Sequence, residues 1–169
     1  MKILSKQRNS RMCMICGLDN EYGVNAPFYN MEDGSVMTVF RYKEQHQSYP
    51  GRVHGGMITA MLDEMGLRSL WAKELSEETF GVTISLDTKY RKPVPYETEL
   101  IGRGVVVKNT SHFIITDSYI MDKDGEILAN GRIKYIKMDT QKIQEGVEVH
   151  EEMPYLVEDG RTEIEGPFF

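Results

Sequence analysis

The chain has 169 residues, 40% of them apolar and 27% charged, with a formal net charge of −6. That is room for one domain with a sizeable core, and it excludes a disordered or fibrous chain. The charge is uneven: residues 139–169 carry nine acidic side chains against Lys142 and Arg161, a local charge of −7, while residues 1–138 sum to +1. A neutral body with an acidic tail lacks the basic face that nucleic acid needs.

No apolar stretch approaches a membrane span, and the basic N-terminus (Lys2, Lys6, Arg8, Arg11) is not followed by an apolar signal core. A cytoplasmic protein with neither a nucleic-acid nor a membrane partner is expected.

In chain order, Cys13 and Cys16 come first, spaced Cys-x-x-Cys and followed by Gly17. Two thiols do not complete a tetrahedral zinc site, so a tight turn with no metal is the plainer expectation; a zinc shared by the cysteines of two subunits is the alternative. Residues 12–34 read as irregular, punctuated by Gly17, Asn20, Gly23, Asn25, Pro27 and Asp33-Gly34. Residues 35–42 read as a strand and 43–53 as a loop.

The run 51–61, Gly-Arg-Val-His-Gly-Gly-Met-Ile-Thr-Ala-Met, then opens a helix whose apolar positions Met57, Ile58, Met61, Leu62, Met65, Leu70, Trp71 and Leu75 span about five turns. Gly55 and Gly56 sit at its start, where backbone amides lack acceptors and an oxygen gaining negative charge is stabilised. Gly56, Thr59, Ala60 and Asp63 fall at i, i+3, i+4 and i+7, a lane of small residues ending in a carboxylate. The ordinary alternative is a turn into a buried helix with a solvated Asp63-Glu64 pair. From Gly55 to Asp63 the helix rises about 12 Å, too far for both to act on one carbonyl. If both act, they come from two helices crossing antiparallel at a two-fold axis.

Four strand candidates follow, at 80–91, 97–108, 111–121 and 126–137, joined by short turns at Pro93-Val94-Pro95, 108–110 and 122–125 that suit antiparallel neighbours. A four-strand meander is expected, with Gly102 and Gly104 as a bend. An antiparallel sheet covered on one face by a single long helix accommodates this order. The domain plan is 1–34 as an N-terminal segment, 35–138 as the domain proper and 139–169 as an acidic extension. His46, His112 and His150 lack spaced ligand partners.

Taken together, Gln47-Ser48-Tyr49-Pro50-Gly51-Arg52-Val53-His54-Gly55-Gly56, then Leu62-Asp63-Glu64, Thr83, and Tyr90-Arg91-Lys92-Pro93-Val94-Pro95 resemble the hotdog-fold acyl-CoA thioesterases of the PaaI-like class. The resemblance covers about residues 13–138, since Cys-x-x-Cys-Gly recurs in many members. It implies an α+β hotdog fold, an antiparallel sheet wrapped around one long central helix, forming homodimers or dimers of dimers with sites at the subunit interface. It implies hydrolysis of an acyl-CoA substrate without a cofactor. Asp63 takes the place of the general base or nucleophile, Gly55 and Gly56 that of the amides polarising the thioester oxygen, and His54 that of a residue orienting the loop or substrate. Arg91 and Lys92 fall where coenzyme A phosphates bind, Thr59 in the lane, and Thr83 beside the acid. One departure stands out: many members carry Asn or Gln seven residues before the first glycine, where this chain has Ser48 with Gln47 beside it. A non-catalytic acyl-CoA binding or sensing module is the alternative. A hotdog dehydratase fits less well, because His54-Gly55-Gly56 does not resemble that loop.

Overall fold

The computed structural model describes residues 1–74, 77, 79–138 and 149–166, with the side chains of 149 and 150 excepted. Eight stretches of chain position the site: strands β1 (Ile3–Lys6), β3 (Tyr29–Met31) and β4 (Val36–Phe40), helix α1 (Gly55–Glu74), and strands β7 (Phe80–Tyr90), β8 (Leu100–Asn109), β9 (Phe113–Met121) and β10 (Ile127–Met138). Shorter strands are β2 (Arg8–Asn9), β5 (Gln47–Tyr49), β6 (Arg52–Val53) and β11 (Tyr155–Leu156). Leu75, expected as the last apolar position of the helix, and His150's side chain lie outside the described residues, as do residues 139–148 and 167–169 of the acidic extension.

The large sheet has the order β1-β3-β4-β8-β9-β10-β7, and each neighbouring pair is antiparallel. The helix lies against it as the hotdog arrangement requires. Ile58, Met61, Leu62 and Met65 are buried against Phe40, Leu100, Ile120 and Ala129 of the sheet, which accounts for a helix apolar over most of its circumference.

Three expectations need correction. First, β7 and β8 are not neighbours: β8, β9 and β10 form a meander, but β7 pairs with β10 at the far edge. The connection containing Pro93 and Pro95 cannot make a tight hairpin, because proline donates nothing to a ladder. It passes under the start of the helix instead, where Val94 is buried and its carbonyl accepts the Val53 amide at 2.9 Å. Second, Gly102 and Gly104 do not bend β8, which keeps register with β4 and β9 through both positions. They let the helix approach, since a Cβ on Gly102 would lie 2.4 Å from Met65 Sδ and one on Gly104 2.6 Å from the Met65 carbonyl oxygen. Third, the span 12–34 is not wholly irregular: β3 lies within it and joins the sheet between β1 and β4.

The two edges of the sheet differ. Beside β1, the tail runs close: the Ile3 amide donates to the Thr162 carbonyl at 2.9 Å, and the backbones of Lys2 and Glu163 form an antiparallel β-bridge. At the other edge no strand among the described residues pairs with the outer side of β7, where Val82, Ile84 and Tyr90 are exposed by 43%, 47% and 56%.

Candidate active site

The helix begins at Gly55 because His54 caps it. His54 Nδ1 accepts the Gly56 amide at 2.9 Å, and the His54 carbonyl takes the amides of Met57 and Ile58. Among the described residues only the Gly55 amide of this first turn is left without an acceptor. The predicted pair of free amides is thus reduced to one, and the histidine that flanks them is the reason. Gly55 is hemmed in by Tyr90, whose hydroxyl donates to the Gly55 carbonyl at 3.1 Å and meets Thr59 Oγ1 at 2.7 Å. A Cβ at Gly55 would press that hydroxyl at 3.3 Å.

Beside this amide opens a cleft of about 500 Å³. Ser48, Gly55, Gly56, Arg91 and Lys92 line it, together with Arg52. Arg91 donates to Asn130 Oδ1 at 2.7 Å, Lys92 pairs with Glu126, and Arg52, exposed, has no ion-pair partner among the described residues. Three cations beside a helix N-terminus make a place suited to phosphate. Gln47 is not in this cleft. Successive residues of β5 face opposite ways, so Gln47 lines a separate cavity of about 390 Å³ with His54 and His46.

Asp63 lies two turns along the helix, facing β7. Thr83 Oγ1 donates to its Oδ1 at 2.8 Å and approaches Oδ2 at 3.1 Å, and the Tyr135 hydroxyl donates to its backbone carbonyl at 2.6 Å. Burial pushes the Asp63 carboxyl above the usual aspartate range; the hydrogen bonds pull it down, and neighbouring Glu64 adds to the rise. A half-buried carboxylate held by one hydroxyl keeps lone pairs for a water or a carbonyl carbon. Glu64 turns away and pairs with Arg68 at 2.7 Å, as its 100° offset from Asp63 predicts.

Thr83 and Asp63 are therefore brought together, as are Gly55, Ser48, Arg91 and Lys92, with Thr59 linked to the second group through Tyr90. The two groups stay apart within one chain. Three contributors escape sequence reasoning. Arg52 was available as a third cation two residues before His54, and Tyr90 opens the Tyr-x-x-Pro run, but Tyr135 has no local signal, because only the β7–β10 pairing carries it to Asp63.

Residues 50–129 match the Thioesterase superfamily. The acyl-coenzyme A thioesterase THEM4 of Rattus norvegicus is 25% identical over 140 residues, 82% of this chain and 57% of that protein. Acyl-coenzyme A thioesterase 13 of Homo sapiens is 23% identical over 100 residues, 59% of this chain and 70% of that one. A thioesterase superfamily protein of known structure superposes with a TM-score of 0.66 at 26% identity, covering 74% of this chain and 63% of the other. A hypothetical thioesterase from Streptococcus pneumoniae, crystallised with coenzyme A, superposes with a TM-score of 0.57 at 20% identity over 68% of this chain and 87% of its own. The chain spans a little over half the length of the THEM4 proteins it matches, 57% and 52%.

Proposed function

We propose that the chain, which has the hotdog fold and matches the Thioesterase superfamily over residues 50–129, hydrolyses acyl-CoA thioesters in the manner of the PaaI-like class, at two sites shared across a homodimer. The observation that carries this is the Asp63 carboxylate, partly desolvated and held by Thr83 beside a strand that lies at the sheet edge among the described residues.

Asp63 takes a proton from water as the water oxygen bonds to the thioester carbon. The carbonyl oxygen becomes an oxyanion, and the partner subunit's Gly55 amide receives it. When the tetrahedral species collapses, the carbon–sulfur bond breaks and coenzyme A leaves as a thiolate that recovers the proton from Asp63. Attack on the carbon by Asp63 itself would give an anhydride that water then opens, with the same products. Arg52, Arg91 and Lys92 supply charge for the coenzyme phosphates, and the lane at Gly56, Thr59 and Ala60 receives the acyl chain. His54 keeps the loop shaped by capping the helix.

The test is release of free thiol from a panel of acyl-CoAs by the wild type and by Asp63→Asn. The variant is expected to lose two to four orders of magnitude in kcat, about what one general base supplies. It should hold or gain thermal stability, because an acid whose folded-state pKa is raised favours the fold when protonated and opposes it once ionised at neutral pH. Near-normal turnover by folded Asp63→Asn would refute the assignment. Wild-type chain that binds acyl-CoA without turnover would mark a binding protein instead.

A further inference from the structure

We infer that Cys13, Cys16 and Glu64 form a site for a thiophilic divalent cation of the zinc class, joining the N-terminal turn to helix α1. Cys-x-x-Cys alone leaves a tetrahedral ion short of ligands; the fold supplies a third from the helix. Both sulfurs and a Glu64 carboxylate oxygen lie within 4.8 Å of one another, and Cys13 Sγ is 4.0 Å from Glu64 Oε2. Around a tetrahedral zinc, with bonds of about 2.3 Å to sulfur and about 2.0 Å to oxygen, such atoms stand about 3.5 to 3.8 Å apart. Side-chain movements below about 1 Å close the site.

The turn favours thiolate at Cys13. The Ile15 and Cys16 amides both donate to Cys13 Sγ, at 3.3 and 3.5 Å, and donors aimed at a sulfur favour its anionic form. Cys16 Sγ lies 3.2 Å from Ser10 Oγ, and either atom can donate; the neighbouring Cys13, burial and Glu64 keep the Cys16 thiol protonated until an ion arrives. Gly17 completes the turn with its amide on the Cys13 carbonyl at 2.9 Å, where a Cβ would fall 2.4 Å from that oxygen. Any side chain there would open the turn.

Charge balance points the same way. Arg68 is buried, with Nε on Glu64 Oε1 at 2.7 Å and Nη1 on Gln7 Oε1 and the Arg8 carbonyl, both at 3.1 Å. Glu64 thus spends one oxygen on Arg68 and turns the other towards Cys13. With both thiols protonated, Glu64 neutralises Arg68. When a divalent ion enters, two metal–sulfur bonds form, both thiol protons pass to solvent, and two thiolates, one carboxylate, one guanidinium and the ion again sum to zero. Without Arg68 the loaded site would carry a buried net negative charge. Cys16 is buried and Cys13 half-buried, so the ion enters from the Cys13 side, where water takes the fourth position. Two thiolates select zinc, or cobalt as its stand-in, over magnesium and calcium.

The inference is independent of the hydrolysis reading, and so is its test. The full chain, reduced and stripped of metal, is titrated with cobalt(II) and then zinc(II). Expected are one ion per chain, the visible bands of tetrahedral cobalt with sulfur-to-metal charge transfer, release of between one and two protons at neutral pH, bleaching by zinc and a higher Tm. Cys13→Ser with Cys16→Ser should abolish the spectrum. Glu64→Asp keeps a charge for Arg68 but withdraws the ligand by one methylene, and should weaken cobalt binding tenfold or more with shifted bands. A reduced, folded chain with no charge transfer, a spectrum that survives loss of both cysteines, or unaltered cobalt binding by folded Glu64→Asp would each overturn the three-ligand site.

Discussion

His54 stands beside a helix start in a position that invites a base assignment, yet its Nδ1 is committed to the Gly56 amide. His54→Ala is therefore expected to act as loss of a cap, costing about 1 kcal/mol and lowering Tm by about 2 to 4 °C, with kcat changed only a few-fold. A hundredfold fall in kcat by the folded variant would return the base role to His54. At this scale the sequence is informative where chemistry is local. Gly55 and Asp63 stand out because helix spacing relates them within one short run. The commitment of Gly56 was hidden, because side-chain capping depends on a rotamer that spacing does not specify. Tyr135 was hidden too, brought to Asp63 by strand pairing across 72 residues.

The helix and the long strands are readable from periodicity, because burial on one face imposes a pattern on each element by itself. Which strands pair is not: the short Pro93–Pro95 link suggested a hairpin, whereas β7 reaches β10 only after β8 and β9 are laid down. That distant pairing explains Gly66 in α1, which periodicity leaves unremarked. A Cβ there would lie 2.1 Å from the Tyr135 hydroxyl and 2.6 Å from Thr116 Oγ1. Gly66→Ala should cost about 1 to 3 kcal/mol from overpacking, with part of the loss recovered by adding Tyr135→Phe; chemical denaturation of the two variants decides. The tail is another element tied down at a distance. Asp159 meets Lys6 at 2.5 Å and also bonds Tyr29. Burial raises its pKa, but Lys6, Tyr29 and the Arg161 amide outweigh that and bring it to about 2. An acid with a depressed folded-state pKa stabilises above its unfolded value, about 3.9, and the benefit fades as pH falls towards 2. Thermal melts of wild type and Asp159→Asn should differ at neutral pH and converge through that window.

For the whole molecule, the separation of Gly55 from Asp63 along one helix would call for a second copy if, as proposed, both act on one carbonyl. The proposed homodimer would join along the exposed edge strand β7: Ile84→Asp should then yield a monomer by light scattering and lose most turnover, although Ile84 belongs to neither group of site residues. Mixed dimers test sharing directly. Gly55→Pro removes the amide hydrogen at a first helical position that proline suits, while its Cβ comes 3.3 Å from the Tyr90 hydroxyl. Exchanging its subunits with Asp63→Asn subunits should restore part of the activity, since one site of each mixed dimer is whole; no recovery after proven exchange would argue against a shared site. The charge asymmetry was legible in the sequence, but not the use of the tail, whose residues 162–164 lie far along the chain from the start of β1 that they meet. That contact has a further consequence. Sheet-to-sheet addition can propagate into a fibre only when every unit exposes two receptive margins. Here residues 162–164 lie against the start of β1, so in the proposed homodimer, joined along β7, the opposite margin of each sheet would be partly blocked and edge-on growth beyond two copies hindered.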